Sequence, residues 1–108
     1  MAGAPVFHVE KGKGSPLVLI HGFCETHEVW LDIATPLAEK FRVLMPDLPG
    51  FGYSLLPTTP FSLTDIAHLM WQWLDGLQVK NPVLVGHSLG GYVVLAMAEL
   101  RPEAPAGF

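Results

Sequence analysis

Gly86-His87-Ser88-Leu89-Gly90 places a hydroxyl between two glycines at fixed spacing, and a further glycine, Gly91, follows. A hydroxyl attacks a carbonyl carbon once a base takes its proton, so this G-x-S-x-G pattern points to acyl transfer. Three fixed positions at ordinary usage arise by chance in about 3% of chains this long, which makes the pentapeptide weak alone. Its setting strengthens it. Apolar Pro82–Val85 reads as a strand and Leu89–Leu100 as a helix, with no residue left over for an ordinary loop. A turn that sharp has no space for Cβ atoms on its flanks, and Gly86 and Gly90 remove them. Ser88 then stands at the tip, at the start of the helix. There the Leu89 N–H and the positive helix end face an oxyanion. The plainer alternative is that Ser88 N-caps the helix after a glycine turn.

His21-Gly22-Phe23 closes the continuously apolar Pro16–Ile20. Gly22 allows an unusual turn, and the Phe23 N–H can then face the same oxyanion from the other side. A simple strand-ending turn fits equally well. Asp47-x-x-Gly50-x-Gly52-x-Ser54 supplies tight turning after Phe41–Met45 and is assigned no catalytic role. Among the five histidines, His87 adjoins Ser88, and neighbouring side chains diverge at a sharp turn. His21 is read as ordering the Phe23 loop by hydrogen bonding, and His8, His27 and His68 as surface or strand-end residues. Cys24 is expected as a small buried thiol and Glu25 as a solvated loop carboxylate. Trp30, Trp71 and Trp73 are expected to pack in the core.

The elements that must position these residues follow from periodicity. Val6–Val9 is a short strand closed by a turn at Lys11–Gly14. Pro16–Ile20 is a strand, continuously apolar and so expected to be buried on both faces, and Phe41–Met45 and Pro82–Val85 are the third and fourth strands. Thr26–Lys40 is helical with an interruption, and Thr35-Pro36 resembles a fresh start, with Thr35 as N-cap and Pro36 at the first helical position. Ser62 and Asp65 form a capping-box-like start. Leu63, Ile66, Ala67, Met70, Trp73, Leu74 and Leu77 then recur at helical spacing. Strands alternating with helices predict an α/β fold, a mainly parallel sheet with crossover helices.

Composition narrows the rest. At 108 residues the chain is one domain or less. Half of it is hydrophobic and 15% charged, which excludes disorder, collagen and a coiled coil. The net charge is −4 and the six basic residues are scattered, so no cationic stripe for nucleic acid exists. One cysteine excludes an internal disulfide and an all-cysteine metal site. No ligand cluster calls for a metal or an organic cofactor. Apolar runs such as Tyr92–Ala98 fall short of the roughly 18 residues a membrane span needs, and no basic segment leads a long apolar core as in a secretory signal. The expectation is a cytoplasmic protein acting on a small molecule, with neither membrane nor nucleic acid as partner.

Taken together, HGF (21–23), DLPGFGYS (47–54) and GHSLGG (86–91) resemble the α/β-hydrolase fold superfamily. They look most like its serine-nucleophile branch of esterases, thioesterases, carbon–carbon bond hydrolases and cofactor-free haloperoxidases. The resemblance runs from that family's second to its fifth strand. It implies Ser88 as nucleophile, with Phe23 and Leu89 giving the oxyanion N–H groups. Gly86, His87, Gly90 and Gly91 shape the elbow, and His21 and Gly22 support the oxyanion loop. Serine at position 88 argues against epoxide hydrolases and haloalkane dehalogenases, whose nucleophile is a carboxylate.

The family's acid and histidine follow later strands, and its lid follows the sixth. Residues 1–108 are therefore expected to be the N-terminal portion of a single α/β-hydrolase domain, without the lid and the C-terminal half. Arg101–Phe108 resembles the lead-in to the sixth strand. The family's strand order, 2-4-3-5-6, would leave Pro82–Val85 as an unpaired edge here, open to self-association or to a C-terminal partner segment. Two functions follow: a serine hydrolase of small esters, thioesters or related carbonyl compounds, or a non-catalytic fragment that binds through this edge.

Overall fold

The middle of the sheet is made by β2 (Ser15–Ile20) and β3 (Phe41–Pro46), paired in parallel, each with its last four residues buried. The computed structural model describes residues 6–51, 54 and 62–108, so Gly52 and Tyr53 of the third motif lie outside them. β1 (His8–Lys11) lies antiparallel on the far side of β3, and β4 (Val83–Gly86) lies parallel to β2. The order β1-β3-β2-β4 is the one the resemblance implies. Side chains alternate across the strands. Val18, Ile20 and Leu44 pack with α2 (Leu63–Gly76) and α3 (Leu89–Leu100), while Leu17, Leu19, Val43 and Met45 pack on Ala34 of α1 (Leu31–Leu37). Among the described residues, α2 and α3 cover one face of the sheet and α1 the other.

Local chemistry sets the helix ends. At α2 the Ser62 hydroxyl accepts the Asp65 N–H at 3.2 Å, and the Ser62 N–H donates to the Asp65 carboxylate at 2.9 Å. Ser62→Ala is expected to lower stability by about 1 kcal/mol in urea denaturation, as the loss of an N-cap does. The buried arc of α2 is wider than a single stripe. Leu69 and Trp71 are inside, while Leu63 is exposed. The cause is that α2 packs on α3 as well as on the sheet, with Trp71 Nε1–H bonded to the Met97 carbonyl at 2.9 Å.

The segment after β2 departs from expectation. Thr26, not Thr35, is the cap: its side chain accepts the Glu28 N–H and starts a 3₁₀ turn, His27–Trp30. α1 follows directly, and Pro36 lies in its last turn rather than at its start. A proline there removes one helical hydrogen bond, and the helix stops a residue later. β1 also begins later than Val6, at His8.

The β4 edge is not wholly unpaired. The Leu84 N–H donates to the Gly107 carbonyl at 2.9 Å and the Ala106 N–H to Pro82 at 2.8 Å, with Val83 and Gly107 in parallel register. The chain returns from α3 and begins to line the outer side of β4, which covers its first half and leaves Val85 exposed.

On the opposite edge, Arg42 of β3 holds Glu10 of β1 through two nitrogens at 2.8 and 3.1 Å. This guanidinium, assisted by His8, lowers the Glu10 carboxyl from 4.5 to about 2. A carboxyl depressed in the folded state stabilises above its unfolded pKa, and that contribution is lost as pH falls through the folded one. The melting difference between the wild type and Glu10→Gln is therefore expected to be present above pH 4.5 and to vanish towards pH 2. Its size should stay within about 1 kcal/mol, since the pair is solvent-exposed.

Candidate active site

The elbow grows out of the β2–β4 ladder, which runs one residue past β4 through the His87 N–H and the Ile20 carbonyl at 3.1 Å. The next residue, Ser88, has φ 58° and ψ −121°, and α3 begins at Leu89. That conformation is costly for a residue with a Cβ and persists only where its surroundings impose it. The surroundings here are backbone. A Cβ on Gly86 would fall on the Gly90 carbonyl, and one on Gly90 would fall on the carbonyl oxygens of Ile20 and His21. The first turn closes through the Gly90 N–H to the His87 carbonyl and the Gly91 N–H to the Ser88 carbonyl, both at 2.9 Å.

The side chain of Ser88 makes no capping hydrogen bond, which overturns the plain N-cap reading. Its hydroxyl is at the surface, where Ser88, Gly91, Tyr92 and Leu95 line an open concavity of about 330 Å³. Gly91 differs from its neighbours, because a Cβ there would meet nothing closer than 3.6 Å. Gly91→Ala should fold as well as the wild type or gain up to about 1 kcal/mol from helix propensity, read as a urea midpoint.

The loop after β2 lies against this turn. A Cβ on Gly22 would stand 3.0 Å from the Ser88 Cβ. His21 is fully buried, and its Nε2 accepts the Leu48 N–H at 2.9 Å. The proton therefore sits on Nδ1, which donates to the Gly22 carbonyl at 2.7 Å. The His21 ring thus joins the Gly22 carbonyl to the Leu48 N–H. Among the described residues, no acceptor within the chain pairs with the N–H of Phe23 or of Leu89. The Phe23 ring is exposed and rests edge-on against Phe51, with centroids 5.6 Å apart.

Three residues stand where the sequence did not put them. His27 is buried, not at the surface. Its ring Nδ1 and its backbone N–H both meet Asp47 Oδ1, at 2.9 and 2.7 Å. Asp47 is itself fully buried, and Ser54 Oγ–H donates to its carbonyl while accepting the Phe7 N–H. The third motif is thus a polar knot tying the lead into β1 to the 3₁₀ turn. A buried carboxylate requires such partners, and its place after an apolar strand was the available signal.

Cys24 is exposed rather than buried, carried outward by a backbone with φ 60°. Glu25 is not simply solvated. Its Oε1 accepts the Gly22 N–H at 2.6 Å and lies 3.4 Å from His87 Nδ1. The Gly22 N–H, assisted to a smaller degree by His87, holds its carboxyl below the usual range. The His87 ring lies on the Glu25 side of the elbow. Among the described residues, no group of three or more His, Cys, Asp or Glu could hold a metal ion, and no helix is long and apolar enough to cross a membrane.

Comparison with known proteins agrees with this geometry. Residues 15–105 match the model of the alpha/beta hydrolase fold family. The chain is 34% identical over 96 residues to a soluble epoxide hydrolase of Corynebacterium sp. (strain C12), an alignment covering 89% of this chain and 34% of that protein. It is 36% identical over 99 residues to a 2-hydroxymuconate semialdehyde hydrolase of Pseudomonas sp. (strain CF600), covering 87% and 35%. The structure of a thermophilic esterase from Thermogutta terrifontis superposes with a TM-score of 0.91 at 31% identity, covering 96% and 39%. The chain spans 27% of the first relative matched and 36% of a Bacillus subtilis hydrolase. With a family match over most of its length and a strand order to agree, the chain belongs to the α/β-hydrolase fold family.

Proposed function

We propose that this chain is the nucleophile-bearing, N-terminal part of a serine hydrolase that cleaves a small ester, thioester or related carbonyl compound. Ser88 attacks the carbonyl carbon, the leaving group departs with a proton, and water then releases the acyl group from the serine. The N–H groups of Phe23 and Leu89 face the oxygen that becomes negative in each step. The observation that carries this reading is the Ser88 backbone. A serine is held at φ 58° by glycine-only contacts, with its hydroxyl exposed and free of any capping role.

The relatives named for epoxide and semialdehyde chemistry share the scaffold, and the residue at the elbow tip separates the chemistries. A hydroxyl at position 88 suits acyl transfer. The base and acid are proposed to come from the segment that follows in longer relatives, because the histidines near Ser88 are committed elsewhere: His21 to Gly22 and Leu48, and His87 to Glu25. Residues 1–108 alone are then a binding module without turnover, completed where a C-terminal segment extends the sheet beyond β4.

Fluorophosphonate labelling tests this. A full-length protein headed by these residues should be labelled on Ser88 and lose the label in Ser88→Ala, whereas residues 1–108 alone should react at least about 100-fold more slowly, having no general base. Labelling elsewhere, or none in the full-length protein, contradicts the proposal.

A further inference from the structure

Glu25 occupies the seam between the two backbone segments that face the reacting oxygen, and it is bonded to both. Its Oε1 accepts the Gly22 N–H at 2.6 Å, its own N–H donates to the Gly22 carbonyl at 3.2 Å, and the same Oε1 lies 3.4 Å from His87 Nδ1 on the elbow. The Gly22 carbonyl also accepts from His21 Nδ1 at 2.7 Å. That carbonyl shares a planar trans peptide with the Phe23 N–H, and the two point in opposite directions. His21 Nδ1–H and the Glu25 backbone N–H therefore aim the Phe23 hydrogen through the Gly22 oxygen, and the Glu25 carboxylate fixes the other side of the same residue through the Gly22 N–H. With both polar groups of Gly22 taken by Glu25 and His21, the first free donor of the loop is the Phe23 N–H.

We infer that Glu25 is a positioning residue for the oxyanion N–H of Phe23, clamping the loop after β2 to the elbow, an inference that rests on the serine-hydrolase reading above. Two further observations favour a clamp over an incidental loop contact. Cys24 adopts φ 60°, the tight reversal that brings residue 25 back onto residue 22. A Cβ on Gly22 would press on Glu25 Oε1 at 2.9 Å and on the Ser88 Cβ at 3.0 Å, so the carboxylate, the loop and the elbow meet at one point, where an added methyl would displace the carboxylate. What the clamp supplies is an acceptor at a fixed distance, so the amide oxygen of glutamine can serve in its place.

The test uses the full-length protein and reads two rates, fluorophosphonate labelling of Ser88 and turnover of a p-nitrophenyl ester. Glu25→Ala is expected to lower both the labelling rate and kcat by about 10- to 100-fold, with KM changed less than about threefold, since a misaimed oxyanion donor weakens the transition state rather than substrate binding. Glu25→Gln should restore both rates to within about fivefold of wild type. Should the alanine variant not fold, Glu25→Asp, whose oxygen falls short of Gly22 by one methylene, takes its place with the same expected loss. Wild-type rates in the alanine or aspartate variant would overturn the inference, and so would a glutamine variant as slow as alanine. If the wild-type protein itself carries no label on Ser88, the serine-hydrolase reading fails instead, so the two failures are distinguishable.

Discussion

Replacing Ser88 with glycine is expected to abolish hydrolysis by the full-length enzyme and, at the same time, to make residues 1–108 more stable. Loss of the nucleophile should lower kcat by about 10⁴- to 10⁶-fold, the range seen when a serine nucleophile is removed. The stability gain has a separate origin. At φ 58° and ψ −121° Ser88 sits in a region that residues with a Cβ occupy at a cost of about 1–3 kcal/mol. Glycine reaches it freely. The added freedom of glycine in the unfolded chain offsets about 0.5–1 kcal/mol, leaving a net gain of about 1 kcal/mol. Parallel urea curves and ester assays check both parts. A glycine variant that is inactive but less stable would mean the elbow holds no strain.

Gly90→Ala carries the largest expected loss of stability. The new Cβ falls on the carbonyl oxygens of Ile20 and His21, which are backbone atoms at the end of a central strand and cannot step aside. α3 must lift away from β2, breaking the packing of Val93, Val94 and Met97 on the sheet. Overpacking of this kind costs about 3 kcal/mol, and the displaced helix should also slow Ser88 labelling. The comparison with Gly91→Ala is the control. Both substitutions add one methyl group to adjacent glycines of one helix, so a shared effect would trace to helix propensity, while the expected opposite signs trace to the contact between α3 and β2. Equal urea midpoints for the two variants would contradict this account of the turn.

The parts of the site legible in the sequence are those written in consecutive residues. Gly86 and Gly90 announce a turn without room for Cβ atoms, and that is the geometry found. His21 and Gly22 directly follow a buried strand, and the His21 ring does hydrogen-bond the Gly22 carbonyl. Ser62 with Asp65 foretells the α2 start for the same reason, since both partners lie within one turn. What stayed hidden depends on partners far along the chain. The pairing of His27 with Asp47 joins residues 20 positions apart, and the contact of Glu25 with His87 joins residues 62 apart. Neither side chain differs in type from an ordinary surface residue until the sheet brings its partner close. The same holds for the β4 edge, where Ala106 and Gly107 pair through main-chain groups that leave no trace in side-chain type. Pro36 misled for a different reason. Its preference for a first helical turn is real, but the 3₁₀ turn capped by Thr26 had already set the direction of α1.

The central claim is that a covalent acyl group forms on Ser88. Acid-quenching the full-length enzyme during turnover of a slowly deacylating ester, followed by mass mapping of its peptides, tests this most directly. The account predicts one acyl group, confined to the peptide containing Ser88 and absent from the Ser88→Ala protein. Sustained hydrolysis with no acyl group on that peptide, or with the acyl group on another residue, would contradict it.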